Sequence, residues 1–563
     1  MLLSRPRFQP FPWWRTSTRA YHHALLEKAT KAKERVYNNQ TIGTVQRESS
    51  KELPVLPKGY PRPEFNDAID AISRAIGREN VVLNTAPLVD GWYMEHPNTH
   101  HAFYLVNQDE LVSSVTLFPG SVEEVQTIVR WANEFQMPIY LISMGRNLGY
   151  GGAAPRVRGS AILDLGKRMT KILDINPDTW SCLLEPGVSF YRLYEEVQKR
   201  GYEHIWIETP DLGGGSVLGN TVDRGQGYTP MGDHFSHHCG MEVVLPNGEV
   251  IRTGMGALPG NNTWQTFPYG FGPYPDGIFS QSNFGIVTKI GMQLMPAPEG
   301  PKASCAHLKR RMTYTKRSTS PEDRRKKEAI IKRQLLSVPG ARWIQSSRLP
   351  KDHYFWSRKD IASGKPDITE LAWLNWPNGG HVFFSPVCPP KGEDAMKIFE
   401  IAKRRHKEFN LDCFPACCIG VREILLISNM VYDRGEPVSR ANAYACMRAV
   451  VDDAAKEGYG EYRTHLLLAD QVAGTYNWNN NALMRFHEQI KDALDPNGIL
   501  APGRSGIWPK KYRGKGWDNI GLGPNTEGEA VQHTSRTLPS RLICNLTSND
   551  NHHTCSCTQE THS

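Results

Sequence analysis

The sequence predicts an α+β chain with two globular parts and polar, irregular ends, and three observations carry that expectation. At 563 residues the chain is too long for one simple core, so two domains are the starting expectation. Between 63 and 298, short β-like runs alternate with apolar residues at helical spacing. A basic, strand-poor stretch then covers 300–365, and globular patterning returns from 366 to 510.

The elements follow in order. Residues 1–26 carry Arg5, Arg7, Arg15 and Arg19 with no Asp or Glu, as a transit peptide does, although their prolines weaken an amphipathic helix. Residues 27–62 are polar and end in PVLPKGYPRP, a linker pattern. PEFNDAIDAISRAIG spaces Phe65, Ala68, Ile69, Ile72 and Ile76 along one helical face. VVLN, SSVTLFP, PIYLIS, SAILDLG and SCLLEPGV read as strands. SVEEVQTIVRWANEF opens with Ser121 and has Glu124 three residues on, a capping box. Beyond the basic stretch, HVFFSPV is a strand candidate, while SRANAYACMRAVVDDAAKEG and NALMRFHEQIKDALDP are helix candidates. The tail 516–563 is rich in Asn, Thr, Ser and Gly, and disorder is expected there.

Composition removes several function classes. Hydrophobic residues make up 39% and charged residues 22%, ordinary for a soluble enzyme. No run of ~18 apolar residues marks a membrane helix, so no membrane partner is expected. The net charge of +8 is concentrated in the N-terminal segment and in 309–333, without any nucleic-acid-binding module. The eleven cysteines are scattered, with no paired C-x-x-C spacing; buried thiols in a reducing compartment are expected, and no metal site. The N-x-T sequons at Asn39, Asn261 and Asn545 are at chance level.

Four glycine-rich motifs carry the chemistry. Ser143-Met144-Gly145-Arg146-Asn147-Leu148-Gly149-Tyr150-Gly151-Gly152 follows the apolar run PIYLI and can turn backbone N–H groups toward a pyrophosphate. It fits neither G-x-G-x-x-G nor a Walker loop. Pro210-Asp211-Leu212-Gly213-Gly214-Gly215-Ser216-Val217-Leu218-Gly219-Asn220 brings backbone close to a ligand, with an aspartate alongside. Gly285-Ile286-Val287-Thr288-Lys289-Ile290-Gly291 is strand-like, and Asp495 to Arg504 (DPNGILAPGR) closes the globular part. Each alone is a common turn; their order is far more specific.

That combination, with GRNLGYGGAAPRV, PDLGGGSVLGN, FPYGFGPY, GEYRTHL, TYNWNN and DPNGILAPG, resembles the p-cresol methylhydroxylase and vanillyl-alcohol oxidase family over roughly 63–300 and 358–512. The resemblance implies a two-subdomain FAD-binding domain of the p-cresol methylhydroxylase type plus an α+β cap domain with an antiparallel sheet. It divides the chain into an extension and linker at 1–62, an FAD-binding domain at 63–298 and a cap at 299–458 whose part 299–357 is atypical. A segment at 459–515 completes the FAD and active site, and 516–563 is the tail. The implied FAD contacts are Ser143, Gly145, Arg146, Asn147, Gly149, Gly151, Gly213, Gly214, Gly215, Ser216, Asn220, Ile286, Val287 and Arg504, with His381 as the covalent attachment point.

The implied substrate is a para-substituted phenol, such as a 4-hydroxybenzyl alcohol or a 4-alkyl- or 4-allylphenol. Tyr150, Tyr462 and Arg463 would bind its oxygen as phenolate, since two O–H donors and a guanidinium stabilise an oxyanion. Asp211 would be the acid/base group near the flavin. The implied reaction passes hydride from the benzylic carbon to FAD through a quinone methide, and dioxygen then gives hydrogen peroxide.

The sequence departs from the family in three places. An assisting histidine of the family falls on Phe103, with His100 and His101 nearby, which bears on covalent attachment. The cap between Pro298 and Arg358 is short by several tens of residues, so it reads as truncated and its sheet as incomplete. Leu425-Leu426 stands where the family has two histidines, which implies a more apolar pocket. The loop at Leu258-Pro259-Gly260-Asn261 is also shortened, which favours a homodimer over a larger homo-oligomer. An intracellular location, cytoplasmic or peroxisomal, is expected, with the Arg-rich N-terminus leaving a mitochondrial one open. Alternatives at this point are a flavin dehydrogenase with another electron acceptor, a catalytically impaired relative with a damaged cap, and a nucleic-acid-associated protein.

Overall fold

Three sheets with their covering helices build the part of the chain that holds the predicted motifs. The computed structural model describes residues 54–85, 111–297 and 321–515, apart from 148, 152–153, 212, 230, 342, 344–349, 351–354, 368–379, 421 and 434–435. The expectations placed on 1–26, His100, His101, Phe103 and the tail 516–563 lie outside the described residues.

The first helix, α1 (Arg62–Ile76), has a proline in its first turn and ends at Gly77, whose φ of 90° stops it. Its apolar stripe, Phe65, Ala68, Ile69, Ile72 and Ile76, is buried. The four-stranded sheet beside it runs β1 (Val81–Leu83), β2 (Val115–Leu117), β4 (Ala161–Asp164), β3 (Ile139–Ile142). The pairs β2–β4 and β3–β4 are parallel, and β1–β2 is antiparallel. Between β2 and β3 lies α2 (Val122–Glu134), capped by Ser121, which accepts the Glu124 N–H at 3.2 Å. The reciprocal half of the capping box differs from expectation. Glu124 accepts the N–H of Gly120 instead, at 2.8 Å, and is also held by Arg168 at 2.6 Å. The arginine draws the carboxylate one residue further back.

The second sheet is antiparallel and has the order β5 (Ile172–Asn176), β6 (Ser181–Leu184), β10 (Ile286–Gln293), β8 (His238–Val244), β9 (Val250–Arg252). It buries its apolar face against α3 (Phe190–Lys199) and the short α4 (Val217–Val222). A two-stranded ribbon, β7 (Ile205–Trp206) with β11 (Met295–Pro296), leads out of this layer. The basic stretch contains two helices, α5 (Pro321–Leu336) and α6 (Phe355–Ala362), and no strand among the described residues.

The third sheet centres on β15 (Ile424–Tyr432). One edge of it pairs with β12 (Gly380–Phe384) and β13 (Val387–Cys388), and the other with β14 (Cys413–Ile419), all antiparallel. Two helices, α7 (Gly392–Glu408) and α8 (Pro437–Lys456), cover one face and bury Val382, Phe384, Leu426 and Met430. The central strand is thus paired on both sides.

The chain then returns through α9 (Ala469–Thr475) and α10 (Trp478–Leu494). The first turn of α10 is left-handed at Asn479, Asn480 and Asn481, a conformation asparagine tolerates better than other side chains. Lys491 fixes this segment to the turn before β10 and to the stretch that runs beside β3. It is fully buried, and its ammonium donates to the Asn283 and Leu500 carbonyls and to Asp495, each at 2.7 Å. Among the described residues, no helix is long and apolar enough to cross a membrane.

Candidate active site

The glycine motifs form two loops that lock together. The first follows β3, where Gly145, Gly149 and Gly151 have φ of 63°, 69° and 103°, backbone that disfavours any other residue. The second precedes α4, whose N-cap Ser216 accepts the Gly219 N–H at 2.9 Å and donates to the Pro186 carbonyl at 2.6 Å. The carbonyls of Gly213 and Gly215 turn toward α3 and accept its Tyr191 and Phe190 N–H groups. Arg146 bridges the loops by donating to the Gly214 carbonyl at 2.8 Å. A Cβ on Gly219 would lie 2.0 Å from the Ser143 hydroxyl oxygen and 3.1 Å from its Cβ, so the loops pack closely here. Two glycine loops of this kind suit the pyrophosphate of a dinucleotide such as FAD.

His381 stands at the far end of the first loop. It lies on β12, fully buried, with its ring 5.4 Å from Phe383 in an edge-on arrangement. A Cβ on Gly149 would come within 3.1 Å of the His381 ring and 2.5 Å of Phe383. The glycine loop and the histidine of the third sheet therefore lie close together.

Tyr150, Tyr462 and Arg463 come together from opposite ends of the sequence. The segment 460–462 runs beside the end of β12: Val387 N–H donates to the Gly460 carbonyl and Tyr462 N–H to the Ser385 carbonyl. Leu466 N–H donates to the Tyr150 carbonyl, closing the two segments on each other. The Tyr150 and Tyr462 phenols are close enough to act on each other electrostatically, and the Tyr150 hydroxyl meets the Ser385 hydroxyl at 3.2 Å. The Arg463 guanidinium stands 4.1 Å from the centroid of the Tyr150 ring. Burial pushes both phenols above their ordinary value of 10.0, and Arg463 opposes this. Both therefore stay protonated, as donors to an oxyanion must.

An ion network anchors Arg463. It donates to the Asn147 side chain at 2.6 Å and lies 3.6 Å from Asp223, which also accepts from Asn147 at 3.2 Å and pairs with Arg504. Burial works to raise the Asp223 carboxyl, but Arg504 and Arg463 outweigh it and hold the group below its ordinary range. Three sequence-predicted residues, Asn147, Arg463 and Arg504, thus share one carboxylate that the sequence reading missed.

Asp211 belongs to a second cluster. Its carboxylate accepts from Tyr228 at 2.8 Å, and the Arg358 guanidinium of α6 lies 5.3 Å from the Tyr228 ring centroid. Burial raises the Asp211 carboxyl, with Tyr228 and Arg358 pulling it back.

The remaining predicted residues have structural partners. Asn220 meets the ring of the buried His234 at 2.5 Å. Ile286 and Val287 bury their side chains in the cores flanking β10 and keep their backbone in the β8–β10 ladder. Leu425 and Leu426 are both buried; Leu426 faces the helices, while Leu425 pairs with Cys418 across the sheet. Tyr228, Arg358, Ser385 and Glu461 were not singled out from sequence. Glu461 alone had a usable signal, its place beside Tyr462 in GEYRTH.

Comparison with known proteins identifies the fold. An FAD binding domain matches residues 113–254, and the C-terminal domain of FAD linked oxidases matches 317–505. The fold and the loops define an FAD-linked oxidoreductase. The 4-cresol dehydrogenase [hydroxylating] flavoprotein subunit of Pseudomonas putida is 34% identical over 535 residues, covering 82% of this chain and 99% of that one. The 4-ethylphenol oxidase of Gulosibacter chungangensis, solved with isoeugenol, superposes with a TM-score of 0.74 at 36% identity over 81% of this chain and all of that one. Substrate-bound p-cresol methylhydroxylase gives 0.72 at 31%, covering 81% of this chain and 99% of that one. The chain belongs to the p-cresol methylhydroxylase and vanillyl-alcohol oxidase family, and its cofactor is FAD.

Proposed function

We propose that the protein oxidises para-substituted phenols at the carbon attached para to the hydroxyl. One observation carries this reading: the Tyr150 and Tyr462 phenols act on each other, with the Arg463 guanidinium over the Tyr150 ring, beside the first glycine loop. Such a set recognises a phenolate, because protonated donors and a fixed cation favour the charged form of a bound phenol. The relatives named for 4-cresol and 4-ethylphenol support the substrate class.

FAD, when bound, supplies the hydride acceptor. The protein does the rest. Tyr150 and Tyr462 donate to the substrate oxygen, and Arg463, held by Asn147 and Asp223, stabilises its charge. Loss of hydride from the benzylic carbon of the phenolate leaves a neutral quinone methide. Water adds at that carbon, or a neighbouring C–H gives up its proton to form an alkene, and in either case Asp211 receives the proton. The Tyr228 hydroxyl, half-buried and bonded to the half-buried Asp211 carboxylate, steadies the group that takes this proton. His381 is the proposed attachment point of FAD, and Ser143, Arg146, Gly213, Gly214 and Gly215 frame its pyrophosphate.

Two acceptors fit the reading. Dioxygen would make the protein an oxidase producing hydrogen peroxide, as the name of the 4-ethylphenol relative says of that protein. Another acceptor would make it a dehydrogenase, as the name of the cresol relative says of that one. Incubation with 4-ethylphenol in an oxygen electrode, with chromatography of the products, tests both. Product with stoichiometric oxygen uptake supports the oxidase. Product only with an artificial electron acceptor supports the dehydrogenase, and no product with either refutes the phenol reading.

A further inference from the structure

Behind the tyrosine pair lies a buried carboxyl that neither cofactor binding nor acid/base chemistry uses. Glu461 immediately precedes Tyr462 and is buried. One of its oxygens accepts the Ser385 backbone N–H at 2.8 Å, while the other has no hydrogen-bond partner. Ser385, itself fully buried, presents its hydroxyl to Tyr150 at 3.2 Å. The carboxyl therefore holds from behind the residue that holds a phenolate donor.

Its surroundings favour the uncharged form. From just beyond β12 it meets the Ser385 N–H, and it acts electrostatically on the Tyr150 phenol of the first glycine loop. On its own segment stand Tyr462, Arg463 and Thr464. From the end of α9, Tyr476 donates to the Glu461 backbone carbonyl at 2.9 Å, with Arg224 acting on Tyr476 in turn. The nearest segment cation, Arg463, is directed to Asn147 and Asp223. Among the described residues Glu461 makes no ion pair. Burial pushes its carboxyl up to about 8, against the Ser385 N–H and Thr464, which lower it. An isolated buried carboxylate is costly enough that such a group keeps its proton.

We propose that Glu461 is a positioning residue of the phenol site that must stay uncharged. Its carboxyl seats Ser385 against Tyr150, and its ionisation sets a negative charge against the phenolate that Arg463 attracts. The inference rests on the phenol reading above. It gives the site a built-in alkaline limit independent of the substrate. Below that limit, binding a phenol as phenolate releases one proton. Above it, Glu461 must regain a proton as the phenolate forms, so net release disappears.

The test uses FAD-loaded protein and 4-chlorophenol, which has no benzylic C–H to oxidise, followed through the visible flavin band from pH 6 to pH 10. The wild-type affinity is expected to rise with pH to about 8 and then level off. In Glu461→Gln, which keeps an oxygen for Ser385 but cannot ionise, the rise continues, gaining ~10-fold over wild type per further pH unit. A second measurement needs no variant: calorimetry in buffers of different ionisation heat should show about one proton released per phenol at pH 7 and about none at pH 9. Parallel affinity curves for the two proteins, or equal proton release at both pH values, overturn the proposal. A wild-type protein that binds no 4-chlorophenol at any pH overturns the phenol reading and this inference together.

Discussion

Replacing Tyr150 by Phe removes a single oxygen from the proposed phenolate site and almost nothing else. The ring keeps its contact with Phe383 at 5.3 Å and stays beneath the Arg463 guanidinium at 4.1 Å. Ser385 loses its hydroxyl partner but keeps its backbone bond to Glu461. The loss to a bound phenolate is one hydrogen bond to a charged acceptor, about 1.5–3 kcal/mol. At ~1.4 kcal/mol per tenfold, kcat/KM for 4-ethylphenol should fall by roughly 10- to 100-fold. Affinity for 4-chlorophenol should fall by a similar factor, because the donor serves the ground state as well. The assay is steady-state turnover with an artificial electron acceptor, beside a flavin-band titration. A variant that holds FAD, melts at the wild-type temperature and loses less than about threefold in both measurements contradicts the assignment of Tyr150.

Other perturbations separate the roles further. Asp223→Ala leaves Arg463 and Arg504 without their shared carboxylate and should cost about 3–5 kcal/mol of stability, read by chemical denaturation, together with weaker phenol binding. His381→Ala should release the yellow colour into the supernatant after acid precipitation, whereas the wild type keeps it in the pellet; colour in the wild-type supernatant refutes attachment at His381. Asp211→Asn should lower kcat by about 10²–10⁴ and leave 4-chlorophenol affinity within a few fold, since its role is proton transfer. Because the folded state raises the Glu461 carboxyl from 4.5 to about 8, its stabilising contribution is full below pH 4.5 and is lost as pH rises toward 8. Glu461→Gln should therefore melt at progressively higher temperature than wild type between pH 5 and pH 8.

Much of the fold was legible because local and global signals agreed. The stripe of α1, the Ser121 cap of α2 and the β-branched runs of β2, β3 and β4 each point to the element that forms. Strands β5 and β14 were not legible. In β5 Leu173 is exposed where alternation with the buried Ile175 would call for burial, and β14 is an edge strand with Pro415 inside it and Phe414 and Ile419 exposed. The site followed the same rule. Tyr150, Tyr462 and Arg463 could be found as members of a family pattern, and the structure brings them together across more than three hundred residues of sequence. Asp223, Tyr228 and Arg358 could not be found, since a lone carboxylate, tyrosine or arginine becomes meaningful only once folding sets it beside its partners. The alignment to the cresol relative runs over 535 residues yet takes up 82% of this chain, so that relative has positions with no counterpart here. The third sheet still pairs its central strand on both sides.

The most direct measurement is an anaerobic titration of the purified protein with 4-ethylphenol, following the visible flavin absorbance. The account predicts a yellow protein whose absorbance bleaches with about one phenol per flavin and does not bleach with a 2-hydroxy acid such as D-lactate. A colourless protein, or a flavin reduced by the hydroxy acid and untouched by the phenol, contradicts it.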